Sequence, residues 1–407
     1  MDRQKGADRP YDVVLYGATG FVGSLTAEYL AAHAPDGLRW ALAGRGGDRL
    51  ERLRERLAAI NPDCGTLPLL HAEAGDPDSL ATLARSTRVL ASTVGPFLWY
   101  GEEVVAACAE AGTDYADLCG ESEFIDRMYL RHDARARETG ARLVHACAFD
   151  VVPADLGVYF TVKQLPEGVP LRIDGFVRTN AMFSGGTLAS ALNVVGRGRQ
   201  TAAATRERRL HEPRPAGRRV EAPFGVPHFS GETGVWALPL PTLDPQVVAR
   251  SASALPRYGP DFRYRHHAGV RSLPVALGGT AAAAAAVALA QFPAARRRLT
   301  ARFEPGSGPD AARREASWFT VRFVGRGGGR RVFTEVSGGD PGYGESAKML
   351  AESMLALAFD ELPATSGQVT PAVAMGDALL TRLRAAGLRF RVVDTRQADA
   401  AEATATA

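Results

Sequence analysis

The sequence of 407 residues predicts an α/β fold in which a doubly wound parallel sheet is followed by a second domain of α+β type. Strand-like and helix-like segments alternate from residue 11 to about residue 150, which is typical of a parallel sheet with helices on both faces. A glycine cluster lies between the first strand and the first helix. The alternation ends after Pro153, and the chain is long enough for two domains.

The elements of the first domain, at residues 10–150, follow from local hydrophobic patterns. The first strand is a short apolar run rich in β-branched residues, and the second helix carries Leu50, Leu53 and Leu57 on one face. The predicted strands are residues 11–16, 39–43, 66–70, 88–94, 113–117 and 141–146. The predicted helices are residues 24–33, 49–60, 77–83, 102–110 and 123–139.

The second domain, at residues 151–395, has a mixed pattern. We expect strands at 171–179, 232–238, 318–324 and 330–336, the last two joined by a glycine-rich hairpin turn. We expect helices at 153–165, 187–195, 346–357 and 372–386. Four prolines in residues 211–230 predict a surface loop, and residues 396–407 are expected to be a disordered tail.

Residues 273–292 form an uncharged, alanine-rich segment flanked by arginines. A segment of this length can span about 30 Å of hydrocarbon, but alanine is a weak driver of membrane insertion. We therefore interpret it first as an apolar helix that is buried or lies at an interface. A peripheral contact with a membrane, in which the arginines face anionic headgroups, and a transmembrane span are the alternatives.

The composition excludes several classes of protein. Charged residues make up 23% of the chain and the net charge is only +3, without a long basic run, so we expect no nucleic-acid partner. The four cysteines lie far apart without C-x-x-C spacing, which predicts free thiols and neither disulfides nor a metal site. The first ten residues lack an apolar core, so no secretory signal is predicted and a cytoplasmic location is expected.

The glycine cluster has the pattern G-x-x-G-x-x-G between a strand and a helix, which is the context of a dinucleotide-binding Rossmann turn. Gly17 permits the tight turn, Gly20 lets backbone N–H groups approach a pyrophosphate, and Gly23 allows the helix to pack close to the sheet. A plain strand–turn–helix corner is the alternative. The predicted cofactor contacts in this turn are Gly17, Ala18, Thr19, Gly20, Phe21, Val22 and Gly23.

The end of the second strand indicates which nucleotide binds. A site for NAD needs a carboxylate about 20 residues after the glycines to hold the ribose 2′-hydroxyl. Arg45 occupies this position, and its forked, permanent charge suits a 2′-phosphate. NADP(H) is therefore favoured over NAD(H), although Arg45 could also be a surface charge.

Two further segments at strand ends are predicted to contact the cofactor. Asp76 follows the third strand and either meets the adenine ring or caps the next helix. The residues that end the fourth strand, where the nicotinamide of such a site lies, are Thr93, Val94, Gly95 and Pro96.

Candidates for proton transfer are few. Tyr100 and Asp150 could point into the crevice beyond the strand ends, as could His145 and Glu121. Lys163 follows Tyr159 in the Y-x-x-x-K spacing of short-chain dehydrogenases, but the serine that should accompany the pair is missing and coincidence is the simpler interpretation. A buried structural histidine is the simpler interpretation of His145.

Longer stretches resemble the saccharopine dehydrogenase-like oxidoreductases, and within them the trans-acting enoyl reductase branch. These stretches are GATGFVG, AGR at residues 43–45, TVGPFLWYGEEVVAACAEAGTDYADLCGE, FDVVPADLG, GGDPGYGESAKMLAESMLAL and TPAVAMGDALLTRL. The resemblance covers nearly the whole chain. It implies an NADP-binding Rossmann domain and a second domain over its carboxyl edge. It also implies reduction of enoyl groups on polyketide-derived lipid chains in glycolipid assembly, and for some relatives an association with membranes.

We therefore expect an NADP(H)-dependent oxidoreductase that reduces an enoyl group of a polyketide- or fatty-acyl-type intermediate, either as a small molecule or bound to a carrier. One alternative is a reductase of C=N or C=O bonds in an amino-acid-like substrate, which convergent arginines in the second-domain pocket would favour. Another is a non-catalytic, lipid-associated protein that binds NADP. A homodimer and a location at the inner face of the plasma membrane are compatible with the sequence.

Overall fold

The computed structural model describes residues 8–181, 196–279 and 310–393. The described strands are β1 (Tyr11–Tyr16), β2 (Trp40–Gly44), β3 (Leu69–His71), β4 (Thr87–Ser92), β5 (Asp114–Asp117), β6 (Arg142–Val144), β7 (Leu171–Thr179), β8 (Arg219–Glu221), β9 (His228–Ser230), β10 (Val235–Pro239), β11 (Asp261–Val270), β12 (Phe319–Gly327), β13 (Arg330–Gly338), β14 (Gly367–Val369) and β15 (Arg389–Val392). The labelled helices are α1 (Phe21–His33), α2 (Gly47–Ile60), α3 (Pro77–Ser86), α4 (Phe97–Tyr100), α5 (Glu102–Ala111), α6 (Ser122–Thr139), α7 (Val152–Val162), α8 (Gly198–His211), α9 (Asp244–Ala254), α10 (Ala311–Glu315), α11 (Gly344–Phe359), α12 (Pro371–Ala374) and α13 (Gly376–Ala385).

The first sheet is parallel and doubly wound, as the sequence predicts. Seven of the described strands form it, in the order β14-β6-β5-β4-β1-β2-β3. The chain runs from β1 outward through β2 and β3, and then crosses to β4 on the other side of β1. Because β1 lies between two strands and under helices, its apolar run is buried along almost its whole length. The carboxyl ends of β1, β2 and β4 therefore meet at one edge of the sheet.

The C-terminal part of the chain returns to this first sheet. β14 pairs in parallel with β6, and α11 packs against α1 and β4. Glu352 of α11 is buried, accepts a hydrogen bond from the Tyr29 hydroxyl of α1 at 2.7 Å and lies 3.4 Å from an Arg382 nitrogen. The first sheet is thus not formed by residues 10–150 alone.

The second sheet is mixed, in agreement with the predicted α+β domain. Its strand order is β15-β13-β12-β7-β11-β10-β9, with β8 paired to β11. The predicted hairpin is present as β12 and β13, whereas β7 and β11 run parallel. α7 packs closely on β12 at Gly157, where a Cβ atom would lie 2.4 Å from the Phe323 ring. α7 therefore links the two sheets directly.

Several predicted elements differ in the structure. The helix predicted at 372–386 is divided into α12 and α13 at Gly376, whose φ of +38° breaks the helical backbone. The loop predicted at 211–230 contains the short strands β8 and β9. The sequence patterns did not predict α8, α9, β11, β14 or β15.

Other predictions lie partly or wholly outside the described residues. These are the helix at 187–195, most of the apolar segment at 273–292 and the tail at 396–407. Residues 273–279 are described and helical, and they expose Leu273, Val275 and Leu277. Within the described ranges, no helix has both the length and the apolar character needed to span a bilayer.

Candidate functional site

The glycine turn between β1 and α1 leaves no room for side chains. Gly17 has φ of +84°, and a Cβ atom there would lie 2.7 Å from Thr93 Oγ1. A Cβ atom on Gly23 would lie 2.3 Å from the Gly17 carbonyl oxygen, which accepts a hydrogen bond from Thr93 Oγ1 at 2.9 Å. Gly20 precedes α1, and no side chain caps this helix. The first-turn N–H groups and the bare backbone form a cradle suited to a pyrophosphate.

Arg45 follows β2 at the same edge of the sheet. Its side chain is exposed and makes no hydrogen bond or ion pair with any residue that the structure describes. Burial raises the pKa of the neighbouring Tyr16 to about 12, and the charge of Glu73 acts in the same direction while that of Arg45 opposes it. An unpaired guanidinium beside the glycine turn is available to a ribose 2′-phosphate.

We expect Arg45→Ala to weaken NADPH binding by about tenfold or more, since a hydrogen bond to a charged group contributes about 1.5–3 kcal/mol. NADH lacks the 2′-phosphate, so its affinity should change little. Fluorescence titration of both nucleotides measures the two affinities. The control is Arg52→Ala, because Arg52 is an exposed arginine of the following helix, α2. If Arg45→Ala leaves the ratio of NADPH to NADH affinity unchanged, Arg45 does not bind the 2′-phosphate.

Asp76 caps α3, which was one of its two predicted roles. Its Oδ1 atom accepts hydrogen bonds from the backbone N–H groups of Asp78 and Ser79, at 3.2 and 3.3 Å. Contact of Asp76 with the adenine ring stays a prediction.

Asp76→Ala is expected to lower the free energy of unfolding by about 1 kcal/mol, because two N–H groups of α3 lose their acceptor. Asp76→Ser keeps an acceptor and should recover most of this loss in urea unfolding. A variant that loses NADPH affinity while its stability is unchanged would favour the adenine role instead.

The segment after β4 turns through a cis peptide bond at Gly95–Pro96 into α4. Glu121 accepts hydrogen bonds from the N–H groups of Phe97 and Leu98, at 3.1 and 3.0 Å, and burial raises its pKa. Glu121 therefore holds the start of α4, and its carboxyl oxygens are engaged there. Tyr100, at the end of α4, is 49% exposed.

A buried dyad that the sequence patterns did not predict lies at the ends of β5 and β6. His145 Nδ1 is 2.7 Å from Asp117 Oδ2, and Asp117 Oδ1 accepts hydrogen bonds from the N–H groups of Cys119 and Ala146. Nε2 of His145 is buried and has no hydrogen-bond partner among the described residues. The sequence analysis named His145 alone; its partner Asp117 was marked only by its position at the end of a predicted strand.

Asp150 lies beyond β6 and is exposed to solvent. Its Oδ2 atom is 2.9 Å from the point where a Cβ on Gly120 would lie, so a side chain there would displace the Asp150 carboxyl group. Desolvation of its carboxyl group by the surrounding protein raises the pKa of Asp150 to about 6, and the charge of Asp244 acts in the same direction. Asp244 lies 3.6 Å from His266 Nε2, and His266 Nδ1 is 2.6 Å from the Tyr264 hydroxyl. The second domain thus supplies Asp244, whose charge acts on Asp150, and the residues His266 and Tyr264 that follow it.

A buried carboxyl group joins several elements of the C-terminal half. Asp155 of α7 accepts hydrogen bonds from Ser251 Oγ of α9 at 2.5 Å and from the Ala372 N–H of α12 at 2.8 Å. Burial raises the pKa of Asp155 to about 7. These bonds hold three elements of the C-terminal half in fixed positions relative to each other.

The structure places Lys163 at the end of α7, away from the glycine turn. Its Nζ atom is 2.5 Å from Asp377 Oδ1 and 5.4 Å from the Tyr159 ring centroid. Burial, with the charge of Asp377, raises the pKa of Tyr159 to about 12. Short-chain dehydrogenases need a lysine that lowers the tyrosine pKa, so this geometry favours coincidence as the interpretation of the spacing.

Comparison with known proteins relates these features to a family. The family model described as "Saccharopine dehydrogenase NADP binding domain" matches residues 13–144. These residues contain the glycine turn, Arg45 and the segment after β4. A Mycobacterium tuberculosis protein provisionally named as a trans-acting enoyl reductase is 39% identical, with 94% of this chain and 97% of that protein covered. The "Trans-acting enoyl reductase" of Mycobacterium bovis is 36% identical with the same coverage.

A solved structure supports the fold of both domains. Apo saccharopine dehydrogenase (L-Glu forming) from Saccharomyces cerevisiae superposes with a TM-score of 0.53 over 94% of this chain and 100% of that chain. The identity is 12%, so this likeness concerns the fold alone.

Proposed function

The chain belongs to the trans-acting enoyl reductase family of NADP-binding oxidoreductases, and on that premise we propose that it reduces the C=C bond of an α,β-unsaturated acyl thioester with NADPH. The acyl chain is of polyketide or fatty-acid type and is held on a carrier. One observation carries the proposal above all others. The similarity to the named enoyl reductases runs through the second domain as well as the nucleotide-binding domain, with 94% of this chain covered.

The residues at the carboxyl edge of the first sheet fit NADPH. The glycine turn would hold the pyrophosphate, Arg45 the 2′-phosphate, and the segment Thr93–Pro96 the nicotinamide side. When bound, the nicotinamide supplies a hydride for the carbon β to the thioester carbonyl. The chain's own task is to orient the acyl group over this edge and to exclude water.

We assign the proton transfer to Asp150. Addition of a hydride at the β carbon leaves negative charge on the α carbon and the carbonyl oxygen, and a proton from Asp150 at the α carbon completes the saturated thioester. The Asp150 carboxylate then recovers a proton from solvent, to which the residue is exposed. Its raised pKa supports this role, because a carboxyl group of ordinary pKa would be almost fully ionised at neutral pH.

Two arginines beside the first domain are already paired with carboxylates of the protein and do not favour an amino-acid-like substrate. Arg208 is buried and lies 2.6 Å from Asp126, and Arg250 lies 2.7 Å from Glu212. Because carboxylates of the protein already engage these arginines, they are not available to hold the carboxylates of a substrate.

A substrate panel tests the proposal. The protein is mixed with NADPH and either an α,β-unsaturated acyl thioester or an amino acid together with an oxo acid, and NADPH oxidation is followed by absorbance. We expect oxidation with the thioester only, and a product heavier by two hydrogen atoms in mass spectrometry. NADPH oxidation with the amino acid and the oxo acid, and none with the thioester, would show that the protein reduces a C=N bond and not the C=C bond of an enoyl group.

A further inference from the structure

One face of α8 is fixed to the first domain by buried polar contacts. Arg208 Nε lies 2.6 Å from Asp126 Oδ1, and Thr205 Oγ1 donates a hydrogen bond to Asp126 Oδ2 at 2.6 Å. Arg197, just before the helix, donates two hydrogen bonds of 2.7 Å to Glu123. These carboxylates belong to α6, so α8 is held in one orientation against it.

The opposite face of α8 is basic and exposed. Arg206 and Arg209 lie on this face with Arg199, and Arg214 follows the helix on the same side. None of these four arginines has a hydrogen bond or ion pair to another described residue. Glu207 is exposed and lies about 100° around the helix from Arg206, and it is not among the residues that line the groove described next. We call the surface formed by Arg199, Arg206, Arg209, Leu210 and Arg214 the α8 face.

The α8 face is concave. Ala202, Thr205, Arg206, Arg209, Leu210 and Arg214 line a groove of about 420 Å³. Leu210 is 74% exposed and, together with Ala202, provides apolar surface between the arginines of the groove. Such a groove suits a surface that carries several carboxylates around an apolar side chain.

The N-terminal end of α8 lies beside α4, which follows the segment that is predicted to hold the nicotinamide. The Arg197 guanidinium lies over the Trp99 ring of α4, 5.9 Å from its centroid. Trp99 is 66% exposed, and α4 directly follows Gly95–Pro96. A protein docked along α8 is therefore next to the carboxyl edge of the first sheet.

We propose that the α8 face binds the acidic surface of the carrier protein that delivers the acyl chain. That the binding partner is a carrier rests on the proposed function. That it is acidic rests on the unpaired arginines of the α8 face, which surround the exposed Leu210. A nucleic acid is disfavoured because the chain has 48 basic against 45 acidic residues and the basic surface is short.

A binding experiment tests this surface directly. A purified, fluorescently labelled acyl carrier protein of net negative charge is titrated with the intact protein at low salt, and anisotropy is measured. We expect binding that weakens with added salt, and a loss of affinity of about tenfold or more in the double variant R206E/R209E. The control R330E/R389E has the same change in charge at two exposed arginines of the second sheet and should stay within about twofold.

A kinetic comparison separates this proposal from the proposed function. With a small enoyl thioester that has no carrier, R206E/R209E should match the wild type, whereas kcat/KM for the carrier-bound substrate should fall by about tenfold or more. If the wild type reduces neither substrate, the proposed function fails and the anisotropy titration still decides the docking surface.

Three results would overturn the docking surface. The first is a carrier affinity that R206E/R209E leaves unchanged. The second is a loss of affinity that is equal in the control R330E/R389E. The third is binding by the wild type to vesicles of anionic lipid, or to DNA, without binding to the carrier.

Discussion

Gly23→Ala is expected to reduce NADPH affinity by about a hundredfold or more, because overpacking at this position displaces the start of α1 from the glycine turn. The added Cβ would lie 2.3 Å from the Gly17 carbonyl oxygen and 2.8 Å from Thr93 Oγ1. Neither the backbone nor the hydrogen-bonded threonine can move away without opening the turn. Isothermal titration with NADPH measures the loss.

The control for this prediction is Gly198→Ala. Gly198 also lies in the first turn of a helix, and a Cβ atom there meets no atom within 4 Å. Its variant should bind NADPH like the wild type. Unfolding in urea, where Gly23→Ala should lose about 1–3 kcal/mol, verifies that the variant is still folded during the titration. Tight NADPH binding by folded Gly23→Ala would contradict the assignment of this turn to the pyrophosphate.

Asp150→Asn is expected to lower the turnover number by about a hundredfold, because positioned proton donors contribute about 10²–10⁴ in rate. NADPH affinity should not change, since Asp150 is not among the predicted cofactor contacts. With its pKa raised to about 6, Asp150 loses its proton as the pH rises through that value, so wild-type kcat/KM should fall on the alkaline side. The fall should be absent in Asp150→Asn.

Lys163→Met is the comparison for Asp150→Asn. Lys163 is ion-paired with Asp377 at the end of α7, so its replacement should change the turnover number less than about threefold. A severe loss in Lys163→Met, with normal activity in Asp150→Asn, would exchange the roles that we assign to these residues.

The first domain could be predicted from the sequence because its signals are local. Each strand from β1 to β6 overlaps a predicted apolar segment, and the cofactor contacts follow strand ends that glycine or proline marks. β14 has only three residues, Gly367–Val369, and pairs with β6 from more than two hundred positions away. Nothing in such a short segment identifies a strand of a parallel sheet, since the pairing is set by tertiary packing.

The second domain and the groups behind Asp150 were harder to predict for a related reason. β11 contains arginines and two histidines, and His266 and His267 are buried although the segment looks polar. Asp244 and His266 reach the neighbourhood of Asp150 only because α9 packs against both α7 and β11. Sequence patterns find residues at strand ends, but they do not show which distant carboxyl groups will lie beside them.

The central claim is that a hydride from NADPH reaches the β carbon of an enoyl thioester in this protein. Its most direct test uses NADPH with deuterium at both positions of C4 of the nicotinamide, an α,β-unsaturated acyl thioester and ordinary water. We expect a saturated thioester with one deuterium at the β carbon and none at the α carbon, where the proton comes from Asp150 and solvent. A product without deuterium, or bound NADPH that is never oxidised by the thioester, would contradict the claim.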